Sequence, residues 1–211
     1  MLKLTDRVLK LAAACAVFTM MSGTAEAGPP LICHPFDAGS APLLPWGPGP
    51  GWNSPDRSYD LQRLTSDTLQ LLTPTTPVLA RMEIMRRATI YAGQDRKVAG
   101  ALLKAVLDRA KAVPEGSRDP MPAFDAGYLI ESFRQNEHSA GWNMLAGADV
   151  ARGVDGYGLV KKALQLAGAN AEMEFAASLM QAGSVAAEHR RRAIAGAPAG
   201  SLLAKNIARV Q

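Results

Sequence analysis

Apolar positions recur every three or four residues through residues 56–211, whereas residues 28–55 show no such period. Leu61, Leu64, Thr68 and Leu71 form the first stripe, a spacing typical of an amphipathic helix. Comparable segments follow at 77–93, 97–113, 123–135, 156–168, 170–183, 184–198 and 199–210. No alternating pattern of the kind that marks a strand interrupts them. The chain is therefore predicted to be all-α, with antiparallel helix pairs joined by short turns.

Proline and glycine mark the ends of these segments. Pro77 stands at a favoured first-turn position, Gly93 follows the same segment, and Pro114 ends the next one. Methionines lie on the apolar stripes, at Met82, Met85, Met173 and Met180. We expect them to be core residues rather than an adaptable peptide-binding surface.

Residues 28–55 are too rich in proline and glycine for a helix to form. Yet the segment carries more large apolar groups than a disordered linker usually does. These groups are Leu31, Ile32, Phe36, Leu43, Leu44, Trp46 and Trp52. We call residues 28–55 the N-terminal arm. It is predicted to be irregular and to pack against the helical domain, residues 56–211.

The first 27 residues have the features of a secretory signal peptide. Lys3, Arg7 and Lys10 precede a short apolar run, and Ala25 and Ala27 match the cleavage pattern. An uncleaved anchor and lipidation at Cys15 are the alternatives. No later stretch has the roughly 18 apolar residues of a spanning helix. The mature protein is therefore expected in the periplasm or secreted, without a transmembrane segment.

Composition fits a folded domain held by its own core. Hydrophobic residues make up 48% and charged residues 20% of the chain, and the formal net charge is +4. This charge does not predict nucleic-acid binding. The densest basic run, His189–Arg192, has no stacking aromatics beside it and is interpreted as a solvent-exposed helix face.

Small and bulky apolar residues recur in pairs through residues 156–198, at Ala163, Leu164, Leu166, Ala176, Leu179, Ala186, Ala193, Ile194 and Pro198. With this pattern the stretch resembles tetratricopeptide repeats, in which a small residue lets two helices approach and a bulky neighbour fills the gap. Further matches at Pro74, Ala88, Tyr91 and Pro114 are more degenerate. Gly168, Glu172 and Arg190 depart from the pattern. The resemblance implies a short α-solenoid, and the alternative is an irregular helical bundle.

The arm has a resemblance of its own. Its stretch PPLICHPFDAGSAPLLPW is similar to the opening of a group of uncharacterised exported bacterial proteins. This similarity implies no activity and no residue roles.

The arm also holds the residues that first suggest chemistry. Cys33 and His34 are adjacent and Asp37 is near, but haem attachment needs a second cysteine and structural zinc needs four ligands. A cysteine nucleophile, an intermolecular disulfide and a simple buried thiol stay open for Cys33. No phosphate loop or metalloprotease motif is present, so we expect no cofactor and no metal.

Carboxylates with an arginine at helical spacing are expected to form surface salt bridges. The two clearest pairs are Glu83 with Arg87 and Glu131 with Arg134.

Two function classes follow from these observations. The leading hypothesis is an exported, non-catalytic helical-repeat scaffold that binds a protein or peptide, with Arg86, Arg87 and Tyr91 on the binding face. The alternative is an exported enzyme or small-ligand binder with a site between the arm and the helices, using Cys33, His34 and Asp37. A third possibility is that the arm only stabilises the fold.

Overall fold

The computed structural model describes residues 31–49, 51–135 and 153–210, so the proposed signal segment lies outside it. Within these ranges the chain forms eight α-helices and no β-strand, which confirms the all-α prediction. The helices are α1 (Leu64–Leu71), α2 (Val78–Ala92), α3 (Arg96–Lys111), α4 (Met121–Gln135), α5 (Gly156–Ala167), α6 (Ala171–Ser178), α7 (Gly183–Ala195) and α8 (Leu202–Arg209). Short 3-10 turns occupy Leu31–Cys33 and Leu61–Arg63.

Side-chain caps fix several helix starts. Asp95 accepts hydrogen bonds from two main-chain N–H groups at the start of α3, and Asn170 and Ser201 cap α6 and α8. The first helix was expected to begin near Asp56 but begins at Leu64. Asp56 instead accepts from the main-chain N–H of Ser58, which holds the chain in a turn.

Helix α2 lies at the centre of the fold. It contacts α1, α3, α4, α6 and the Leu31–Cys33 turn, and every residue of it except Arg87 is buried. The sequence pattern predicted one buried stripe, but a helix surrounded by neighbours is buried on all faces. The methionines expected in the core, Met82, Met85, Met173 and Met180, are confirmed there.

Two other helix pairs have extensive contacts. Helices α4 and α5 pack closely because Gly127 faces Gly156, and α6 packs along α7. Ala163, Ala176 and Ala193 are fully buried in this half of the protein. Small side chains at these positions permit the close approach.

The described part of the N-terminal arm crosses the helices and joins the core. Leu31, Ile32, Phe36 and Leu44 are all buried, and the ring of Phe36 meets the ring of Phe175 edge-on at 6.0 Å. This places the start of the described chain against α2 and α6. Across the described ranges, every helix is too short or too polar to cross a bilayer.

Candidate functional site

Three charged residues of α2, the buried Glu83 and Arg86 and the partly buried Arg87, form a cluster that we call the Glu83 cluster. One carboxylate oxygen of Glu83 accepts from Arg86 Nε at 2.7 Å, and the other accepts from Arg86 Nη2 at 2.8 Å and Arg87 Nε at 2.7 Å. The Glu83 side chain is only 2% exposed. The ion pair with Arg87 was predicted correctly, but its placement at the surface was wrong.

The arginines of this cluster bind the main chain of the arm. Arg86 Nη1 donates to the carbonyls of Ile32 at 3.1 Å and Trp52 at 2.7 Å. Arg87 Nη1 donates to the carbonyl of Leu44 at 2.6 Å. The guanidinium groups therefore satisfy buried carbonyls of an irregular segment that has no helix or sheet to pair them.

Tyr91 completes this contact between α2 and the arm. Its hydroxyl donates to the Pro45 carbonyl at 2.7 Å and accepts from the main-chain N–H of Asp56 at 2.9 Å. The ring of Trp46 lies 5.0 Å from the guanidinium carbon of Arg86 and edge-on to Tyr91. The structure therefore brings together Arg86, Arg87 and Tyr91, but beneath the arm; their binding to a partner stays a prediction.

The alternative site residues engage different helices. Cys33 is partly buried and packs with Ile32 and Ile90, and burial is the main cause that raises the pKa of its thiol. Asp37 instead faces α8, where its main-chain N–H donates to Asn206 Oδ1 at 2.8 Å. His34 donates its main-chain N–H to the Leu31 carbonyl at 3.4 Å. A raised thiol pKa disfavours the nucleophilic thiolate.

A second buried pair joins α2 to α4. Arg81 Nη1 donates to Asp125 Oδ2 at 2.6 Å, and neither side chain is exposed by more than 1%. Arg81 Nε also donates to the Thr76 carbonyl at 2.9 Å. Burial raises the pKa of Asp125 to about 6, against the opposing effect of Arg81. The pair holds two core helices together.

A groove of about 730 Å³ lies between the end of α3, the α3–α4 loop and α5. We call it the α3–α5 groove. Its apolar side is lined by Leu107, Ala110, Val113, Leu159 and Leu166. Leu166 is 36% exposed, which is unusual for a leucine in a helix of this domain.

A smaller pocket of about 570 Å³ lies between α5 and α7, beside the start of α6, and we call it the Tyr157 pocket. In its wall, Tyr157 Oη and His189 Nε2 are 2.7 Å apart, and His189 Nδ1 contacts Glu174 Oε2. His189 is 7% exposed. The interpretation of the His189–Arg192 run as a solvent-exposed face is therefore wrong at its first residue.

Sequence reasoning missed the Tyr157 pocket because its residues come from three helices. Tyr157, Glu174 and His189 share no motif and no local spacing. The one available signal was a histidine within an arginine-rich face, since His buries more often than Arg.

Among the residues that the structure describes, no group of three or more His, Cys, Asp or Glu side chains is arranged to hold a metal ion. Comparison with known protein families, with curated proteins and with solved structures finds no match to this chain.

Proposed function

We propose that this chain is an exported, non-catalytic helical scaffold that binds a peptide segment of a protein partner in the α3–α5 groove. The observation that carries the proposal is the combination of an apolar floor with unpaired cations at its rim. The buried arginines of α2 do not serve this role, because they hold the arm. We therefore propose a binding face on other residues than Arg86, Arg87 and Tyr91.

The apolar floor of the groove supplies the affinity. Leu107 is buried at its base, while Leu159 and Leu166 lie about two helical turns apart on α5 and reach its surface. A partner's Leu or Phe side chain placed here loses contact with water, which contributes about 1.5–3 kcal/mol for a fully buried side chain.

Positive charge at the rim of the groove favours partner segments with acidic side chains. Lys111, Arg118 and Lys162 line the groove, and none of them forms an ion pair with another residue of the described ranges. Two carboxylates oppose them, at Glu115 and Asp119, but Asp119 accepts from the main-chain N–H of Met121 at the start of α4. The lining therefore carries a net positive charge that a partner's Asp or Glu would offset.

The occupant that fits is a short peptide segment with apolar anchors flanked by acidic side chains. Apolar grooves on helical proteins commonly bind such segments, with the apolar side chains of the peptide inserted into the groove. The volume suits a few side chains rather than a whole domain face.

The arrangement of helix pairs is part of the same proposal. The packing of α4 on α5 and of α6 on α7 supports stacked hairpins in the C-terminal half. The central position of α2 instead supports the irregular bundle in the N-terminal half, because a solenoid helix leaves one face free. We propose a bundle extended by stacked hairpins.

Selection from a random dodecapeptide library displayed on phage tests the binding. We expect enriched peptides to share Leu, Ile or Phe anchors with Asp or Glu beside them. Replacement of Lys162 by Glu should weaken these peptides at least about tenfold, roughly 1.4 kcal/mol. Lys205→Glu on α8 has the same charge change on an exposed position outside the groove and is the matched control.

Two results would contradict this function. One is that the selection enriches no peptides beyond those that a parallel selection on an unrelated helical protein enriches. The other is enrichment whose binding falls equally in Lys162→Glu and Lys205→Glu, which would show a general charge effect.

The alternative site between the arm and the helices is less well supported. Its thiol has a pKa raised by burial, and Asp37 is held at α8. The arm contacts α2 largely through main-chain atoms and buried apolar side chains. These contacts favour the third possibility, that the arm stabilises the fold.

A further inference from the structure

The hydrogen-bond chain in the Tyr157 pocket has a direction. A carboxylate can only accept hydrogen bonds, so Glu174 accepts one from the Nδ1–H group of His189. In a neutral imidazole with its hydrogen on Nδ1, Nε2 is an acceptor. Tyr157 Oη, 2.7 Å from Nε2, donates its own hydrogen there. Its oxygen keeps a lone pair and can accept from a ligand. Burial, together with the charge of Glu174, raises the pKa of Tyr157, so the hydroxyl stays neutral.

The charges around the pocket leave one cation uncompensated. Arg192 lies 2.9 Å from Glu188 and 3.6 Å from Glu174, and Arg191 lies 2.7 Å from Glu188, so two arginines balance the two carboxylates. Lys161 has its Nζ 4.8 Å from the centre of the Tyr157 ring and forms no ion pair with any described residue. A positive charge therefore stands over the face of the ring that carries the acceptor oxygen.

Helix α5 places this pocket and the α3–α5 groove on different faces. Lys161 and Leu164 line the pocket, whereas Lys162 and Leu166 line the groove. The pocket volume of about 570 Å³ falls within the range of small-molecule sites. Val185, which lines the pocket and is 44% exposed, forms an apolar edge that a small molecule can reach from solvent.

We propose that the Tyr157 pocket binds a small hydroxylated carboxylate. A ligand hydroxyl donates to Tyr157 Oη, and the ligand carboxylate pairs with Lys161 Nζ. His189 and Glu174 act as positioning residues, since they hold the Tyr157 hydroxyl in the orientation that leaves its lone pair free. This site is separate from the peptide groove, and neither proposal depends on the other.

Three matched probes test the ligand class by isothermal titration calorimetry on the full mature chain. D-gluconate carries hydroxyls and a carboxylate, sorbitol carries only hydroxyls, and hexanoate carries only a carboxylate. We expect gluconate, and its shorter relative lactate, to bind at least about tenfold more tightly than the other two.

Two variants test the two proposed contacts, that of the ligand hydroxyl with Tyr157 and that of the ligand carboxylate with Lys161. Tyr157→Phe removes only the hydroxyl and should weaken gluconate at least about tenfold while leaving hexanoate unchanged. Lys161→Gln should abolish the preference for gluconate over sorbitol. Lys162→Gln, on the neighbouring position of α5, is the control and should bind gluconate as the wild type does.

Thermal melting separates binding from folding. If Tyr157→Phe lowers the melting temperature and the wild type binds neither gluconate nor lactate at about 50 mM, the hydrogen-bond chain only ties helices together and the proposal fails. Equal losses in Lys161→Gln and Lys162→Gln would also overturn it.

Discussion

Glu83 is the residue on which the arm and α2 jointly depend. Its carboxylate accepts from both neighbouring arginines and from the main-chain N–H of Phe36 at 3.0 Å. Because the carboxylate is almost fully buried, its charge is balanced by the two guanidinium groups rather than by water. The two guanidinium groups also bind carbonyls of the arm. The Glu83 side chain therefore orients Arg86, Arg87 and the main chain at Phe36.

We predict that Glu83→Gln lowers the free energy of unfolding by about 3–5 kcal/mol, because it leaves two guanidinium groups without a buried counter-charge. Urea unfolding followed by circular dichroism measures this. Glu188→Gln is the matched control: Glu188 also pairs with two arginines but is 41% exposed, so about 1 kcal/mol or less should be lost. Similar losses in both variants would contradict the role of burial.

The environment of a single residue could be predicted from the sequence where spacing along its own helix determines that environment. The core methionines and the Glu83–Arg87 pair follow from helical spacing alone. The burial of Glu83 and His189 does not, because it is produced by the arm and by α6, which come from distant parts of the chain. Spacing shows which residues share a face and not what covers that face.

The close contact of α4 with α5 depends on a glycine. A Cβ added at Gly127 would lie 2.4 Å from the Gly156 carbonyl oxygen and 2.8 Å from Val160 Cγ2. The first neighbour is main chain and cannot rotate away, so the two helices would have to move apart. Gly127 therefore sets the distance between α4 and α5, and α5 lines both proposed binding surfaces.

Gly127→Ala should destabilise the protein by about 1–3 kcal/mol, because the added methyl overpacks a buried helix contact. Gly100→Ala provides the opposite case within α3, where a Cβ meets no atom within 4 Å. There the better helix propensity of alanine should stabilise by about 0.5–1 kcal/mol. Thermal melts of both variants measure the difference. A loss in Gly100→Ala or none in Gly127→Ala would show that the helices are placed differently.

Helices were the best predicted elements, since their apolar stripes and punctuating residues are local. The segment after Pro77 was expected to be helical up to Gly93, and α2 has these limits. Its start has no side-chain cap of its own. The carboxylate of Glu172 on α6 lies near the N–H groups of Val78 and Leu79, which lower its pKa against the larger raising effect of burial. No local pattern reveals this contact between α6 and the start of α2.

The arm and the helices share one core. Leu31, Phe36 and Leu44 belong to the same cluster of buried side chains as the residues of α2, α4 and α6. Asn206 Nδ2 donates to the Asp37 carbonyl at 2.9 Å, which also links the arm to α8. Composition changes at residue 55, but the side chains on both sides of this boundary pack into one contiguous core.

A shared core predicts that the arm and the helices unfold together. Trp46 and Trp52 report on the arm once Trp142, the remaining tryptophan, is replaced by Phe, while far-ultraviolet circular dichroism reports on the helices. We expect the two urea transitions to share one midpoint and one slope, because releasing Phe36 and Leu44 exposes the core that α2 needs. A fluorescence change at lower urea, with the circular dichroism still native, would show that the arm detaches alone. The Glu83 cluster would then be free to bind another chain, and Arg86, Arg87 and Tyr91 would regain the role that the sequence suggested.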